Sequence, residues 1–291
     1  MDKFKNLAIV AGFGCFIFSV LLSGLYPYLI TDARQKEANW EEIAHNVVNE
    51  FKELKDQFPA TFVKAYPNAG GALSPNDLIG KKLSEGESAK NDQIWREAYA
   101  FSIREGRDIY IAEACWHCHS QYVRPVASED VRFGPVSRTE QDNNAAQRPV
   151  LWGTRRVGPD LTYEGGLRSN DWHVAHFWDP ASVSPGSVMP KYRWYFEEGW
   201  RVMRRIDPKK AELADLPIET AWSYPGLYAT EAEAKTALEG IKKTIDSSLA
   251  GEADRLFVEK GIGPNEKGLY LISYLQWLGT WTGRKAEKDQ P

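Results

Sequence analysis

The chain has 291 residues, with 36 Lys and Arg against 40 Asp and Glu, a formal net charge of −4. That balance excludes a generally basic nucleic-acid binder, which needs a cationic excess to neutralise phosphates, and a mean hydropathy of −0.48 excludes a polytopic membrane protein. Three Cys and five His cannot build a disulfide scaffold and leave few residues for metal or cofactor chemistry.

From Leu7 to Ile30 no side chain is charged. As a helix this run is roughly 36 Å long, enough to cross a ~30 Å hydrocarbon core with some tilt. It exceeds the apolar core of a cleaved signal peptide, roughly 7–15 residues, and Tyr26 and Tyr28 suit the headgroup region. Residues 1–31 therefore read as a retained transmembrane anchor. Lys3 and Lys5 before the run and Arg34 and Lys36 after it are too evenly matched to orient it.

Residues 32–95 read as an amphipathic helix and a linker. Trp40, Ile43, Val47, Phe51 and Leu54 recur at helical spacing, a packing stripe on a helix continuing from the membrane. Residues 59–90, rich in Gly, Pro, Ser and Asn, read as loop. A second helix is expected from about 91 to 114, with Gly106 as its break. Residues 120–170 read as ordered loops, followed by a short helix capped by Ser169 or Asn170 and stopped at Asp179-Pro180. Residues 196–266 are charged and helix-prone; there Thr230 and Glu233 have capping-box spacing ahead of an apolar stripe of Leu238, Ile241, Ile245 and Leu249. A compact apolar helix over 267–281 ends the pattern. No strand-rich region is expected. The fold class is mainly α, with a domain over 96–285 that carries a charged helical insertion at about 197–265.

Chemistry concentrates in Cys115-Trp116-His117-Cys118-His119, a C-x-x-C-H run. Two thiols on one turn can form thioethers with the two vinyl groups of a haem, and the His that follows meets the iron. Zinc fits poorly, because Cys15 lies in the anchor and His173 and His176 lack finger spacing. A redox dithiol expects a βαβ context, which is missing from the pattern. The run predicts one covalently bound haem c with His119 as proximal ligand and His117 turned away from it.

Candidates for the sixth iron ligand are Met189, Met203, His45, His173 and His176. Met189, in the loop Ser187-Val188-Met189-Pro190, is favoured, because thioether ligation needs an apolar, water-excluding loop. Met203 sits in a charged run that suits a surface helix. His173 is the reserve, although a helix-surface or propionate-side position suits it better. The Pro159 carbonyl, within Gly158-Pro159-Asp160-Leu161, is a candidate acceptor for the Nδ1–H of His119. Arg124, Arg155 and Arg156 are candidate propionate partners, with Trp152 as an indole donor or edge wall. A His/Met iron carries single electrons and has no open position, so no O2-reducing site is expected on this chain. Two other readings remain: a free-standing membrane-anchored carrier cytochrome, and a haem sensor or peroxidase-like enzyme with an open iron.

The run from Glu105 through the C-x-x-C-H pentad to Ser120-Gln121-Tyr122-Val123-Arg124-Pro125 resembles the haem-attachment segment of the mono-haem subunit II of cbb3-type cytochrome c oxidases, the FixO/CcoO family. Residues 152–161, the blocks Asp171-Trp172-His173-Val174-Ala175-His176 and Val188-Met189-Pro190-Lys191-Tyr192, and the closing Tyr274-Leu275-Gln276-Trp277-Leu278-Gly279 are similar to further family blocks. The resemblance implies a class I cytochrome c fold on one transmembrane helix. It also implies a bacterial inner-membrane location with the domain in the periplasm, and Met189 as distal ligand. The implied task is to take electrons from a donor cytochrome c, a di-haem subunit being one candidate, and pass them to the haem–copper catalytic subunit. Membrane lipid is the other implied partner and nucleic acid is not one. Residues 45–95 and 197–265 are longer than the resemblance leads one to expect.

Overall fold

The computed structural model describes residues 2–29, 38–138, 144–205, 221–223, 226–244 and 256–282. Helix α1 (Asp2–Val20) continues through a π-helical turn, Leu21–Leu25, so that one apolar helix runs over Lys3–Leu29. Its large side chains, among them Phe13, Phe16 and Leu22, lie exposed. It is long and apolar enough to cross a membrane.

The stripe from Trp40 to Leu54 falls on two helices instead of one, α2 (Trp40–Ile43) and α3 (Asn49–Gln57). Asn39 caps the first, accepting the Glu42 N–H at 3.3 Å. The stripe does pack inward: the Phe51 ring, fully buried, has its centroid 4.8 to 5.8 Å from the rings of Phe62, Tyr66, Trp95 and Tyr99. Such aromatic pairs add about 0.5–1.5 kcal/mol each beyond burial. The expected loop over 59–90 instead begins with α4 (Pro59–Ala65), where Pro59 takes the first-turn position that suits proline.

Helix α5 (Glu85–Ala112) starts six residues before the expected point, at a capping box between Ser84 and Glu87. It buries Trp95 and Tyr99 against Phe51, and meets α11 (Glu266–Trp277), which Asn265 caps, further along through Tyr110. Gly106 is not a break. It lies at the contact, where an added Cβ would come 2.1 Å from the Tyr270 carbonyl oxygen and 2.6 Å from the Tyr274 Cβ. Four residues on, the Tyr110 and Tyr274 rings meet at 5.5 Å.

Short helices punctuate the loops between these two: α6 (Cys115–Cys118), α7 (Glu129–Phe133), α8 (Asn170–Trp178) and α9 (Pro180–Val183). Ser169 caps α8 as expected, accepting the Trp172 N–H at 3.2 Å.

Among the described residues, the expected helical insertion over 197–265 holds a three-stranded sheet beside one helix. Strand β1 (Phe196–Arg205) lies between β2 (Ala221–Ser223) and β3 (Leu256–Pro264), antiparallel to both. Helix α10 (Glu231–Thr244) packs on it, and Val202, Leu238 and Leu256 form a small separate core. Trp200 and Val202, like Leu256 and Val258, stand at the period of a strand, but the charges around them mask it. Met203 is therefore a strand residue, opposite Phe257 and Ser223, and not part of a surface helix. The Thr230–Glu233 capping pair forms, with bonds of 3.2 and 3.3 Å. Ile245 and Leu249 lie outside the described residues.

Gly106→Ala should force α5 and α11 apart and cost at least about 2 kcal/mol in urea unfolding, in the range of core overpacking. Gly86→Ala, in the open first turn of the same helix, should be neutral or stabilising by about 0.5–1 kcal/mol.

Candidate functional site

Helix α5 ends by delivering the C-x-x-C-H run. Ala114, left-handed at φ 56°, turns the chain into α6, and the Tyr110 hydroxyl donates to the His119 carbonyl at 2.6 Å. A second loop wraps this turn. The His117 carbonyl accepts from the N–H groups of Thr154, Arg155 and Arg156 at 2.9 to 3.2 Å, and the Gly158 N–H donates to Cys118 at 3.2 Å. His119 Nδ1 lies 2.9 Å from the Pro159 carbonyl. A carbonyl only accepts, so Nδ1 carries the proton. Burial holds the imidazole below 6.5, the Pro159 bond opposing it only in part. The ring is thus neutral at pH 7, with Nε2 as an unprotonated acceptor. Gly158 makes this possible: an added Cβ would fall 2.2 to 2.7 Å from the imidazole atoms.

Asp160 locks the two loops together. One carboxylate oxygen accepts from the Tyr122 N–H at 3.0 Å and from the Ser120 hydroxyl. The other accepts from the Thr162 N–H at 2.8 Å and its hydroxyl at 2.5 Å. Arg156 donates to Ser120 at 2.9 Å and forms a two-pronged pair with Glu129. Arg124 donates to the Trp152 carbonyl at 2.7 Å.

Cys115, Cys118, His119, Pro159, Arg155 and Met189 line one cavity of about 1120 Å³. Arg124, Arg156 and Trp152, candidates for the same cavity by sequence, are not on its wall. The two arginines are occupied in holding loops, and Trp152, 51% exposed, lies against Tyr122 with centroids 4.4 Å apart. Met203 and His45 are likewise off the wall. The Met189 loop is pinned by Lys191 to Asp179 at 2.5 Å and by Tyr192 N–H to the Phe177 carbonyl at 2.8 Å.

The structure also brings in residues that sequence reasoning passed over: Arg132, Glu164 and Arg168 all face the cavity. No motif marks them; each is one polar residue among many until the chain folds. His173 is not on a helix surface. It is 2% exposed, and its Nε2 has no hydrogen-bond partner. Burial pushes it down to about 3, and His176 beside it down to about 4. Thus two thiols, a neutral imidazole with a free Nε2, a thioether and an orphaned buried nitrogen converge on one space. This set fits a haem: soft sulfur and imidazole for the macrocycle and its iron, polar groups for its carboxylates. Among the described residues, no three His, Cys, Asp or Glu side chains gather to hold a bare metal ion.

The family of cytochrome c oxidase mono-heme subunits, FixO, matches residues 87–282, about two thirds of the chain. The chain belongs to the FixO family. No curated protein matches it. FixO proteins are mono-haem subunits of the cbb3-type oxidase, so membership accounts for a haem and implies association with the catalytic subunit. The FixO match takes in the C-x-x-C-H turn, the Gly158-Pro159-Asp160 loop, Met189 and α11, and leaves α1 to α4 outside.

Burial raises the Glu129 carboxyl, but Arg156 and the Arg124 N–H outweigh it and hold the group below 4.5. An acid lowered on folding stabilises fully above its unfolded value, and that contribution fades as pH falls through the folded value. The melting temperature should therefore drop on acidification below about pH 4.5. Glu129→Gln should melt lower at pH 7 and lose part of that acid dependence, measured by circular dichroism.

Proposed function

We propose that this chain is the membrane-anchored electron-relay subunit of a cbb3-type terminal oxidase. It holds one haem c through thioethers from Cys115 and Cys118, with His119 and Met189 as axial ligands. Its domain faces the periplasm of a bacterial inner membrane, where haem c is attached. It receives electrons from a donor cytochrome c, a di-haem subunit being one candidate, and passes them to the haem–copper subunit. The observation that carries this reading is that the C-x-x-C-H turn and the Met189 loop line the same cavity.

When bound, the haem supplies a one-electron couple. The chain's residues set its surroundings. Cys115 and Cys118, one helical turn apart on α6, present their sulfurs to the two vinyl positions. His119 offers Nε2, and its Nδ1 bond to Pro159 fixes the ring and raises its basicity. Met189, half-buried between the exposed Val188 and Pro190, offers a soft thioether, a ligand that favours the reduced state. Arg132, Arg155 and Arg168 are the guanidiniums on the cavity wall, within reach of propionates there. Were His119 and Met189 both to hold the iron, the chain would leave it no open position and oxygen reduction would fall to the partner subunit.

The purified protein should show a haem c spectrum with the weak Met–iron absorption band. Met189→Leu should abolish that band, while Met203→Leu, in β1, should keep it; an intact band in Met189→Leu would sink the ligand assignment. In mild detergent the chain should travel with a haem–copper subunit. Purification free of one would favour the free-standing carrier.

A further inference from the structure

We propose that Glu164, held against His173 in the wall of the haem cavity, takes up a proton when the bound haem accepts an electron. The inference rests on the haem reading above and adds a proton-linked group to it.

Glu164 is built into place. Its N–H donates to the Leu161 carbonyl at 3.2 Å, and its own carbonyl accepts from Leu167 at 2.9 Å. The turn after it is tied to α11, with Gly165 N–H to Leu278 at 2.9 Å and Gly166 N–H to the Gln276 side chain at 3.0 Å. The Glu164 side chain is only 13% exposed, and its Oε1 lies 3.9 Å from His173 Nε2, too far for a hydrogen bond. Both residues line the cavity, His173 with a buried Nε2 that has no hydrogen-bond partner.

The charged and titratable groups around it do not fix its charge. Arg168, on the same loop, is drawn over the Trp172 ring at 5.0 Å. His173 and His176, from α8, are kept neutral by burial, and so is His119 on the cavity wall. Asp160 spends both oxygens on its loop bonds. Glu50, from α3, reaches the turn at Gly166. Burial therefore dominates at Glu164, opposed only by Arg168, and pushes the carboxyl up to about 7. Burial thus favours the protonated carboxyl over what an exposed glutamate would show.

The electron comes from a one-electron donor and rests on the iron, while the proton comes from solvent and rests on a Glu164 carboxylate oxygen; no other bond changes. An added negative charge in a low-dielectric cavity raises the proton affinity of a carboxylate nearby. By reciprocity, protonation raises the affinity of the haem for the electron.

The test is spectroelectrochemical titration of the haem midpoint potential of the intact holoprotein between pH 5 and 9. The potential should fall with rising pH across a limited window, by up to about 59 mV per unit, the one-electron equivalent of a tenfold change in proton activity. Glu164→Gln should flatten that window. Glu164→Asp, which keeps the carboxyl but moves it, should retain the slope with a shifted inflection. A flat profile in the unmodified protein, or an inflection unmoved in both variants, overturns the proposal. Protein carrying no haem absorption overturns the haem reading and this inference with it, whereas a haem-loaded protein with a flat profile overturns this inference alone.

Discussion

Helices α5 and α11 touch backbone to backbone at Gly106, and everything that forms the cavity hangs from that contact. The approach is possible because position 106 has no Cβ to meet the Tyr270 carbonyl. Close approach lets Tyr110 and Tyr274 pack as rings, and both then reach the cofactor loops. Tyr110 holds the His119 carbonyl, and Tyr274 donates to the Gln121 side chain at 2.9 Å. Gln276, on the same helix, donates to Arg168 and Asn170 and accepts from Gly166 at 2.9 to 3.1 Å. The helix pair is thus both core and frame: its apolar faces bury each other, and its few polar side chains fix loops that have no regular structure of their own.

Those loops would otherwise leave buried backbone groups unpaired, at a cost of about 1–3 kcal/mol each. Here the C-x-x-C-H turn and the Gly158-Pro159-Asp160 loop satisfy one another. Three consecutive N–H groups converge on the His117 carbonyl, and one carboxylate, Asp160, gathers four donors. Gly158 and Pro159 act as a pair: the first leaves room for the imidazole and the second gives it an acceptor. Pre-ordering of this kind holds the His119 ring in one orientation, with Nε2 turned from the Pro159 bond.

Charge inside the cavity follows from the same economy of donors. Arg124 and Arg156 bind the loops from outside, so they are unavailable to the cavity they seemed suited to by proximity in sequence. The wall instead carries Arg132, Arg155 and Arg168, the buried His173 and His176, and Glu164, whose carboxyl burial raises. The sheet over β1 to β3 joins the main core through Phe196, whose ring lies 6.4 Å from that of Phe177, and adds a small core of Val202, Leu238 and Leu256; none of its strand residues lines the cavity.

What could be read from sequence was local or strictly periodic. The uncharged run from Leu7 to Ile30, the C-x-x-C-H spacing, Pro159 one loop away, the Ser169 cap and the apolar closing helix each depend on neighbouring residues or one repeat. The sequence by itself therefore determined the long apolar N-terminal helix, the C-x-x-C-H turn and the mainly helical class. Only the tertiary structure decided the rest. Gly106 reads as a helix breaker until Tyr270 lies against it, and β1 reads as helix until β3, some 50 residues on, supplies its hydrogen bonds. Arg156 and Glu164 are ordinary surface ions until burial and partners assign one to a clamp and the other to the cavity. Propensity and spacing act within a few residues along the chain, whereas close approach, strand pairing and desolvation arise only between segments that folding has brought together.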